Sequence, residues 1–323
     1  MKLKKYANNP ILKPNPANQW EERCVLNPAV IYDEENEEFL SKSSKDTLFE
    51  YDDEYGYKFD LNRHGLGLIL DDKYAMYDVL NKFNLPIIKH YIVYRDNNLN
   101  DYAIGCNSYE YVLSLFHRFD NNIVLKPNNG ACGVGVYHIE DEETLLEVYN
   151  KLLDKNFSIS VCPFYEIETE YRTIVLNNEV KLLYGKIRPI VIGDGKSSIS
   201  ELLKQFNYDY FKDYDEENKD IILSVDERYE YDWKFNLSRG SKMFRNIEES
   251  EYSNISTLAL KTASVIGLGF GSVDIIKTKT GEMYIMEINS GVMMDNFIKQ
   301  NEDGYEIAKE IYSSAIAEMF KEV

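Results

Sequence analysis

Residues Gly271 to Gly291 read GSVDIIKTKTGEMYIMEINSG, and this stretch constrains the fold more than any other. Two apolar runs, Val273 to Ile276 and Met283 to Ile288, flank a polar segment, Lys277 to Glu282, whose Gly281 marks the loop of a β-hairpin. Pairing that is symmetric about the loop sets Ile276 opposite Ile285, Thr278 opposite Met283 and Asp274 opposite Glu287. Side chains alternate along a strand, so Glu287 and Asn289 share a face, and Asp274 joins them across the ladder with Cβ atoms about 5 Å apart. Facing carboxylates destabilise a sheet unless something compensates, and a hard cation such as magnesium would do so. On that basis, removing either carboxylate should stabilise the metal-free protein. The same residues also read as a solvated acidic face, and D…E-x-N alone does not separate the two.

An acidic face would be unremarked in this chain, whose formal net charge is −19. That charge argues against nucleic acid and anionic membrane as partners, because both need clustered Lys and Arg. A small anion can still bind through local positive groups. With 323 residues, 44% of them hydrophobic, the chain can bury a sizeable core in two or three compact units. Cys24, Cys106, Cys132 and Cys162 form no C-x-x-C, and His64, His90, His117 and His138 show no zinc spacing. No long apolar run occurs, and no apolar h-region follows MKLKKYANNP. The expectation is a reduced, cytoplasmic protein.

Two earlier stretches carry chemistry. In DDKYAMYDVLNKFNLP, the residues Met76, Val79, Leu80 and Phe83 fall at helical spacing, with an Asp at the N-cap and Pro86 beyond the end. Lys73 then lies in the first turn, poorly placed against the helix dipole unless an anion is bound there; a solvated lysine is the other reading. Further on, a strand Ile123 to Lys126 runs into Pro-Asn-Asn-Gly-Ala-Cys-Gly-Val-Gly and then a strand Gly135 to Ile139. Backbone N–H groups of such a glycine hairpin can wrap phosphate oxygens, and Lys126 is a point charge suited to phosphate. No helix follows the glycines directly, which argues against a Rossmann fingerprint or a Walker loop.

The remaining pattern predicts strands at Tyr91 to Tyr94 and Ser158 to Phe164, and helices at Ser108 to Phe116 and from an Asp141 N-cap through Leu153. Glu166, Glu168 and Glu170 lead into a strand Tyr171 to Leu176, which turns at Asn177-Asn178 into Val180 to Tyr184. Ser198-x-x-Glu201 is a capping box, Asp209 to Glu230 reads as a solvated insertion, and Trp233 to Gly240 as strand into loop. Helices are predicted at Ile255 to Ile266, stopped by Gly267, and at Tyr305 to Phe320. Before Gly65 the pattern is irregular, with a Tyr-rich hairpin-like stretch Leu48 to Phe59. There NNPILKPNPANQW and VLNPAVIYD resemble the opening of mannoside phosphorylase propellers, but no blade repeat follows.

In order, Asp72-Lys73, Val-Leu-Lys126-Pro before Asn-Gly-Ala-Cys-Gly-Val-Gly, Glu170-Tyr-Arg172, Gly193-Asp-Gly-Lys-Ser, Asn236-Leu-Ser-Arg-Gly and Val-Asp274…Met-Glu287-Ile-Asn289 resemble the ATP-grasp superfamily. The flavour is that of glutathione-synthetase-like and cyanophycin-synthetase-like carboxylate-amine ligases. The resemblance implies an α+β fold in which two α+β lobes with antiparallel sheets clasp ATP, beside a short N-terminal unit. The implied units are residues 1–65, a smaller lobe with the glycine-rich lid at 66–163, and a larger lobe with the magnesium site at 164–323.

By the same resemblance, Lys73 and Lys126 hold the ATP phosphates, and Asn129, Gly130, Ala131, Cys132, Gly133, Val134 and Gly135 form the lid. The backbone from Cys162 to Phe164 meets adenine, Glu170 meets ribose, and Met286 faces away from the metal ligands and toward the base. Asp274, Glu287 and Asn289 bind two magnesium ions. Some relatives have Arg two residues before the metal aspartate, where this chain has Ser272; Arg188 first, and Arg239 second, would then stabilise the transferred phosphoryl group. Arg172 reads equally as a sheet-surface ion-pair partner. The hinge carries Cys162-Pro163 where many relatives have paired acids.

The implied activity is an ATP- and magnesium-dependent ligase that joins an amino-acid or peptide carboxylate to an amine through an acyl phosphate, releasing ADP and phosphate. No Ser/His/Asp or Cys/His signature surrounds the motifs, in keeping with chemistry that needs no protein nucleophile. A kinase acting on a small molecule or peptide and a non-catalytic nucleotide-binding module are the rivals on the same fold. A homo-oligomer is compatible with all three.

Overall fold

The computed structural model describes residues 28–33 and 38–43 as backbone, together with 61–62, 65–95, 107–130, 133–204 and 218–319. The Leu48 to Phe59 stretch, Ala131 and Cys132 lie outside the described residues. An antiparallel pair, β1 (Pro28–Asp33) and β2 (Glu38–Ser43), precedes two short helices, α1 (Leu66–Asp71) and α2 (Lys73–Lys82). Asp72 caps α2, its Oδ1 accepting from Ala75 N at 2.8 Å. There follow β3 (Tyr91–Tyr94), α3 (Tyr109–Arg118), β4 (Ile123–Pro127), β5 (Tyr137–Ile139), α4 (Glu142–Lys155) and β6 (Ser158–Pro163). Their strands make an antiparallel sheet in the order β3-β6-β4-β5.

One face of this sheet carries Ile123, Leu125, Ile159 and Val161, which bury against Val112, Leu115 and Phe116 of α3 and Leu145, Val148 and Leu152 of α4. Alternation sends Val124, Lys126, Ser160 and Cys162 to the opposite face. Only three residues, Phe164 to Glu166, separate β6 from β7 (Ile167–Leu176), the first strand of the second sheet.

β7 turns at Asn177 and Asn178, with φ of 44° and 63°, into β8 (Glu179–Ile187), as a two-residue hairpin with left-handed central residues requires. A satellite unit comes next: β9 (Ile190–Ile192), α5 (Ile199–Lys204) and β10 (Arg228–Glu230), around Val191, Ile199, Leu202, Leu203 and Leu223. The Ser198/Glu201 capping box is formed, with Ser198 N donating to Glu201 Oε2 at 2.9 Å and Glu201 N to Ser198 Oγ at 3.3 Å. The chain then returns through β11 (Lys242–Phe244), α6 (Glu249–Ile266), β12 (Phe270–Thr278), β13 (Met283–Asn289), α7 (Asp295–Gln300) and α8 (Gly304–Met319). The second sheet runs β11-β8-β7-β12-β13.

Three expectations change. The predicted strand at Trp233 is a loop ending in a 3-10 turn, Leu237–Arg239. Leu66, Leu70, Met76 and Leu80 of α1 and α2 share a core with Val273, Ile275, Ile285 and Ile288 and with Ile255 and Ala259 of α6. These helices therefore pack on the second sheet, whereas a boundary at residue 66 groups them with the first. The hairpin register also differs: Asp274 does face Glu287, but Ile275 faces Ile285 and Lys277 faces Met283. Met286 is the extra residue of a β-bulge. The bulge lets Ile285 and Ile288 both enter the core while Glu287 and Asn289 turn to the other face.

The start of β12 is clamped by Asn62. Its Oδ1 accepts from Gly269 N and Phe270 N at 2.9 Å, and its Nδ2 donates to Phe270 O at 2.8 Å. A Cβ on Gly269 would lie 1.6 Å from Leu61 O, a backbone atom that Asn62 holds in place. Gly269→Ala is expected to cost about 1–3 kcal/mol, as overpacking typically does, measured as a lower urea midpoint with unchanged m-value. An unchanged midpoint would show that Leu61 is not fixed against β12.

Candidate active site

A transverse row crosses the second sheet. Tyr184 of β8 pairs with Arg172 of β7, Arg172 with Asp274 of β12, and Asp274 with Glu287 of β13. In the adjacent row Lys186 pairs with Glu170. Asp274 has 0% exposure and is gripped in a two-pronged pair: Arg172 Nε donates to Oδ1 at 2.8 Å and Nη2 to Oδ2 at 2.7 Å. Lys186 Nζ reaches Asp274 Oδ1 at 3.5 Å and bonds Glu170 closely, while Asn289 Nδ2 donates to Asp274 Oδ2 at 3.4 Å. Burial opposes the Asp274 charge, but Arg172 and Lys186 outweigh it and hold this carboxyl below its ordinary range. Burial likewise works against Lys186, yet Asp274 and Glu170 hold its pKa above the usual lysine value. Burial pushes the Glu170 carboxyl up against the pull of Lys186.

The first sheet carries Lys126, which is 9% exposed and pairs with Ser160 on β6. Lys73, at the start of α2, donates its Nζ to Gly130 O of the glycine hairpin, and its backbone N donates to Asn128 O at 3.2 Å. Burial and then Lys126 lower the Lys73 pKa, while Glu287, the largest opposing influence, supports its charge. Lys73 thus stands within electrostatic reach of both Lys126 and Glu287. In the hairpin, Gly133 and Gly135 take φ of 70° and 69°, conformations that suit glycine, and Val134 is 70% exposed. Beside it, His138 stacks on Phe164 with centroids 3.8 Å apart, and Trp233 stands edge-on to Phe164 at 5.7 Å.

The structure therefore brings together Lys73, Lys126, Gly130, Asp274, Glu287 and Asn289. It engages six other expected residues differently. Arg188 donates to Glu230 Oε2 and to Ile167 O, both at 3.1 Å, and its guanidinium lies 5.5 Å from the Phe235 ring centroid. Arg239 pairs with Asp232 at 3.4 Å. Neither stands in the Asp274 row; Arg172 does, because register sets it opposite the aspartate. Glu170 is 6% exposed and committed to Lys186, so it does not present a free carboxylate to a ribose. Phe164 N donates to Asn122 O at 3.1 Å, and Cys162 lies within the β6–β4 ladder, so the Phe164 N–H is already used. Met286 occupies the bulge, half-buried.

Arg172 and Lys186 were missed as site residues. The available signal was period two: Glu170 and Arg172 share a face, and the hairpin at Asn177-Asn178 returns Tyr184 and Lys186 beside them. Asp274, Glu287 and Asn289 offer hard oxygen donors that fit magnesium. Among the described residues no group of three or more His, Cys, Asp and Glu side chains suits a metal, so Asn289 is needed as the third donor, and an ion would share Asp274 with Arg172 and Lys186.

Comparison with known proteins follows the same lines. Residues 218–315 match the RimK-like ATP-grasp domain. The D-alanine--D-alanine ligase of Bacillus anthracis superposes with a TM-score of 0.53 over 80% of this chain and 68% of that one, at 13% identity. The chain has the ATP-grasp fold. The D-alanine-D-alanine ligase of Coxiella burnetii superposes similarly, with a TM-score of 0.50 at 14% identity over 80% of this chain and 60% of that one. In sequence, 91 residues are 34% identical to the glutathione biosynthesis bifunctional protein of Streptococcus thermophilus, covering 27% of this chain and only 12% of that protein. No described helix of this chain is long and apolar enough to cross a membrane.

The ion pairs overturn the expectation that removing Asp274 stabilises the metal-free protein, because its charge is already compensated. Asp274→Asn takes the carboxylate from the half-buried Arg172 and leaves the buried Lys186 with Glu170 alone, and is expected to cost about 3–5 kcal/mol in denaturant unfolding, whereas Glu287→Gln should stay within about 1 kcal/mol. Since the Asp274 pKa is depressed, its stabilisation is present above the ordinary carboxylate range and lost below it. The gap between the wild type and Asp274→Asn should therefore narrow as the pH falls from about 5 through the ordinary aspartate value and on toward the depressed one. A gap independent of pH would show that the pair is not ionised.

Proposed function

We propose that this ATP-grasp protein is an ATP-dependent ligase that joins the carboxylate of an amino acid or peptide to an amine. The observation that carries the reading is that Lys73, bonded to Gly130 O, lies within electrostatic reach of both Lys126 and Glu287, the strand partner of Asp274. The likeness to ligases of the same fold supports it. Lys73 and Lys126 hold the phosphates of ATP, with Gly130 of the glycine-rich segment bonded to Lys73. Asp274, Glu287 and Asn289 would hold magnesium, which when bound lowers the charge that an attacking carboxylate meets. Arg172, rather than Arg188 or Arg239, is the guanidinium beside the row and stabilises negative charge on the transferred phosphoryl group.

The substrate carboxylate oxygen bonds to the γ-phosphorus as the bond to ADP breaks, giving an acyl phosphate. The amine then attacks the carbonyl carbon, phosphate leaves, and the amine proton passes to solvent or to the departing phosphate. The protein's part is positioning and charge neutralisation.

Purified protein with ATP, magnesium and a panel of amino-acid pairs is expected to release phosphate only when both a carboxylate and an amine partner are present. Glu287→Gln should lower that rate by at least about 100-fold with its fold intact. A stable phosphoester formed without any amine would establish a kinase instead. ATP binding without turnover under all pairs would leave a nucleotide-binding module.

A further inference from the structure

Two buried side chains beside Lys73 and Lys126 each keep an unused nitrogen. Asn128, with 0% exposure, accepts from Tyr74 N through Oδ1 at 3.1 Å, and its backbone O accepts from Lys73 N. Its carboxamide therefore sits at the N-terminus of α2, yet Nδ2 has no partner among the described residues. His90, 1% exposed, meets Ser160 Oγ through Nδ1 at 2.6 Å, and its Nε2 also lacks a partner. Ser160 faces Lys126 across the β6–β4 ladder, so the imidazole stands on the lysine-bearing face of the first sheet. Burial, then Lys126 and Lys73, hold this imidazole neutral. A buried polar atom left without a partner costs free energy, and two beside a pair of crowded ammonium groups have a common remedy.

The unsatisfied atoms here are the Asn128 amide N–H and, in the tautomer whose Nδ1 accepts from Ser160, the Nε2–H of His90, and both stand beside the two lysines. An assembly of donors without an acceptor selects an anion with several oxygens. We propose that Asn128 Nδ2 and His90 Nε2 are two further phosphate-binding donors, which complete with Lys73 and Lys126 a site for the phosphate oxygens of a nucleoside triphosphate. The proposal rests on the nucleotide reading above and extends it to two residues that no motif singles out. It also explains why uncharged side chains stand here: they add hydrogen bonds without adding to the repulsion between the lysines.

Asn128→Asp and Asn128→Ser together provide the test, because the first keeps the acceptor that caps α2 while replacing the donor with a charge, and the second shortens the side chain without adding one. ATP, ADP, AMP and inorganic phosphate are titrated calorimetrically into the full chain and into Asn128→Asp, Asn128→Ser and Lys126→Ala. Asn128→Asp is expected to weaken ATP by at least about 10-fold, the equivalent of one charge-assisted hydrogen bond, and AMP much less. Asn128→Ser, which keeps a capping hydroxyl, should weaken ATP in the same direction. In the wild type, the His90 Nε2 nitrogen resonance, assigned with His90→Gln, should shift on saturation with ATP while keeping the Nε2–H tautomer.

Unchanged ATP affinity in both Asn128 variants, with Lys126→Ala impaired, overturns the proposal for Asn128 and leaves the nucleotide reading standing. A His90 nitrogen that does not move with ATP, or that carries its proton on Nδ1, overturns it for His90 even if a variant fails to fold. Equal losses for ATP and AMP assign Asn128 a structural role and count against it. Binding of inorganic phosphate as tight as that of ATP would make the site one for free phosphate. A wild type that binds no nucleotide sinks both readings.

Discussion

The buried pair between Arg172 and Asp274 is the interaction on which the rest of the site depends. A carboxylate in the middle of a sheet, with no exposure to water, survives as an ion only if a cation is delivered to it in fixed geometry. Antiparallel register does this, because β7 sets Arg172 directly opposite Asp274 and β8 sets Lys186 opposite Glu170 one row away. The result is a lattice of alternating charge, in which each group satisfies the desolvation of its neighbours. Glu287 is left at its edge, half-buried and turned toward the cleft.

That lattice faces a second set of charges arranged for another purpose. On the first sheet Lys126, and at the start of α2 Lys73, are cations without an equivalent array of carboxylates. The two sets are held at a fixed spacing by covalent and hydrogen-bonded links. One is the three-residue connection Phe164 to Glu166, packed by the stack of His138 on Phe164. The other is the segment Pro86 to Ile88, held to the outer edge of β13 by Ile285 N donating to Pro86 O and Ile88 N donating to Ile285 O before the chain enters β3. A cleft with an acidic row on one wall and ammonium groups on the other suits a polyphosphate that carries a divalent cation.

Much of this was legible beforehand for identifiable reasons. The cap at Asp72, the Ser198/Glu201 box, the Asn177-Asn178 turn and the stop at Gly267 are local, each governed by one or two backbone conformations, and each was found where its residues predicted. Asp274 was correctly set opposite Glu287, although the symmetric register behind that pairing does not exist. A bulge at Met286 restores the pairing, because Ile285 and Ile288 both need the core. Local periodicity carries no sign of that bulge. Sequence alone favours Arg188, then Arg239, over Arg172 for the phosphoryl group, and only the strand partners set Arg172 beside Asp274.

By itself the sequence determined which residue types were available and how they were spaced along each element: acids at Asp274 and Glu287, lysines at Lys73 and Lys126, and glycines where the lid must bend. These follow from propensity, capping and period, which act over a few residues. Tertiary structure alone decided who faces whom. Arg172 became the partner of Asp274, Lys186 drew Glu170 into a buried pair, and Asn128 and His90 came to stand beside the lysines. The physical reason is that desolvation makes a buried charge's surroundings, rather than its identity, set its energy, and those surroundings come from strands distant in the chain.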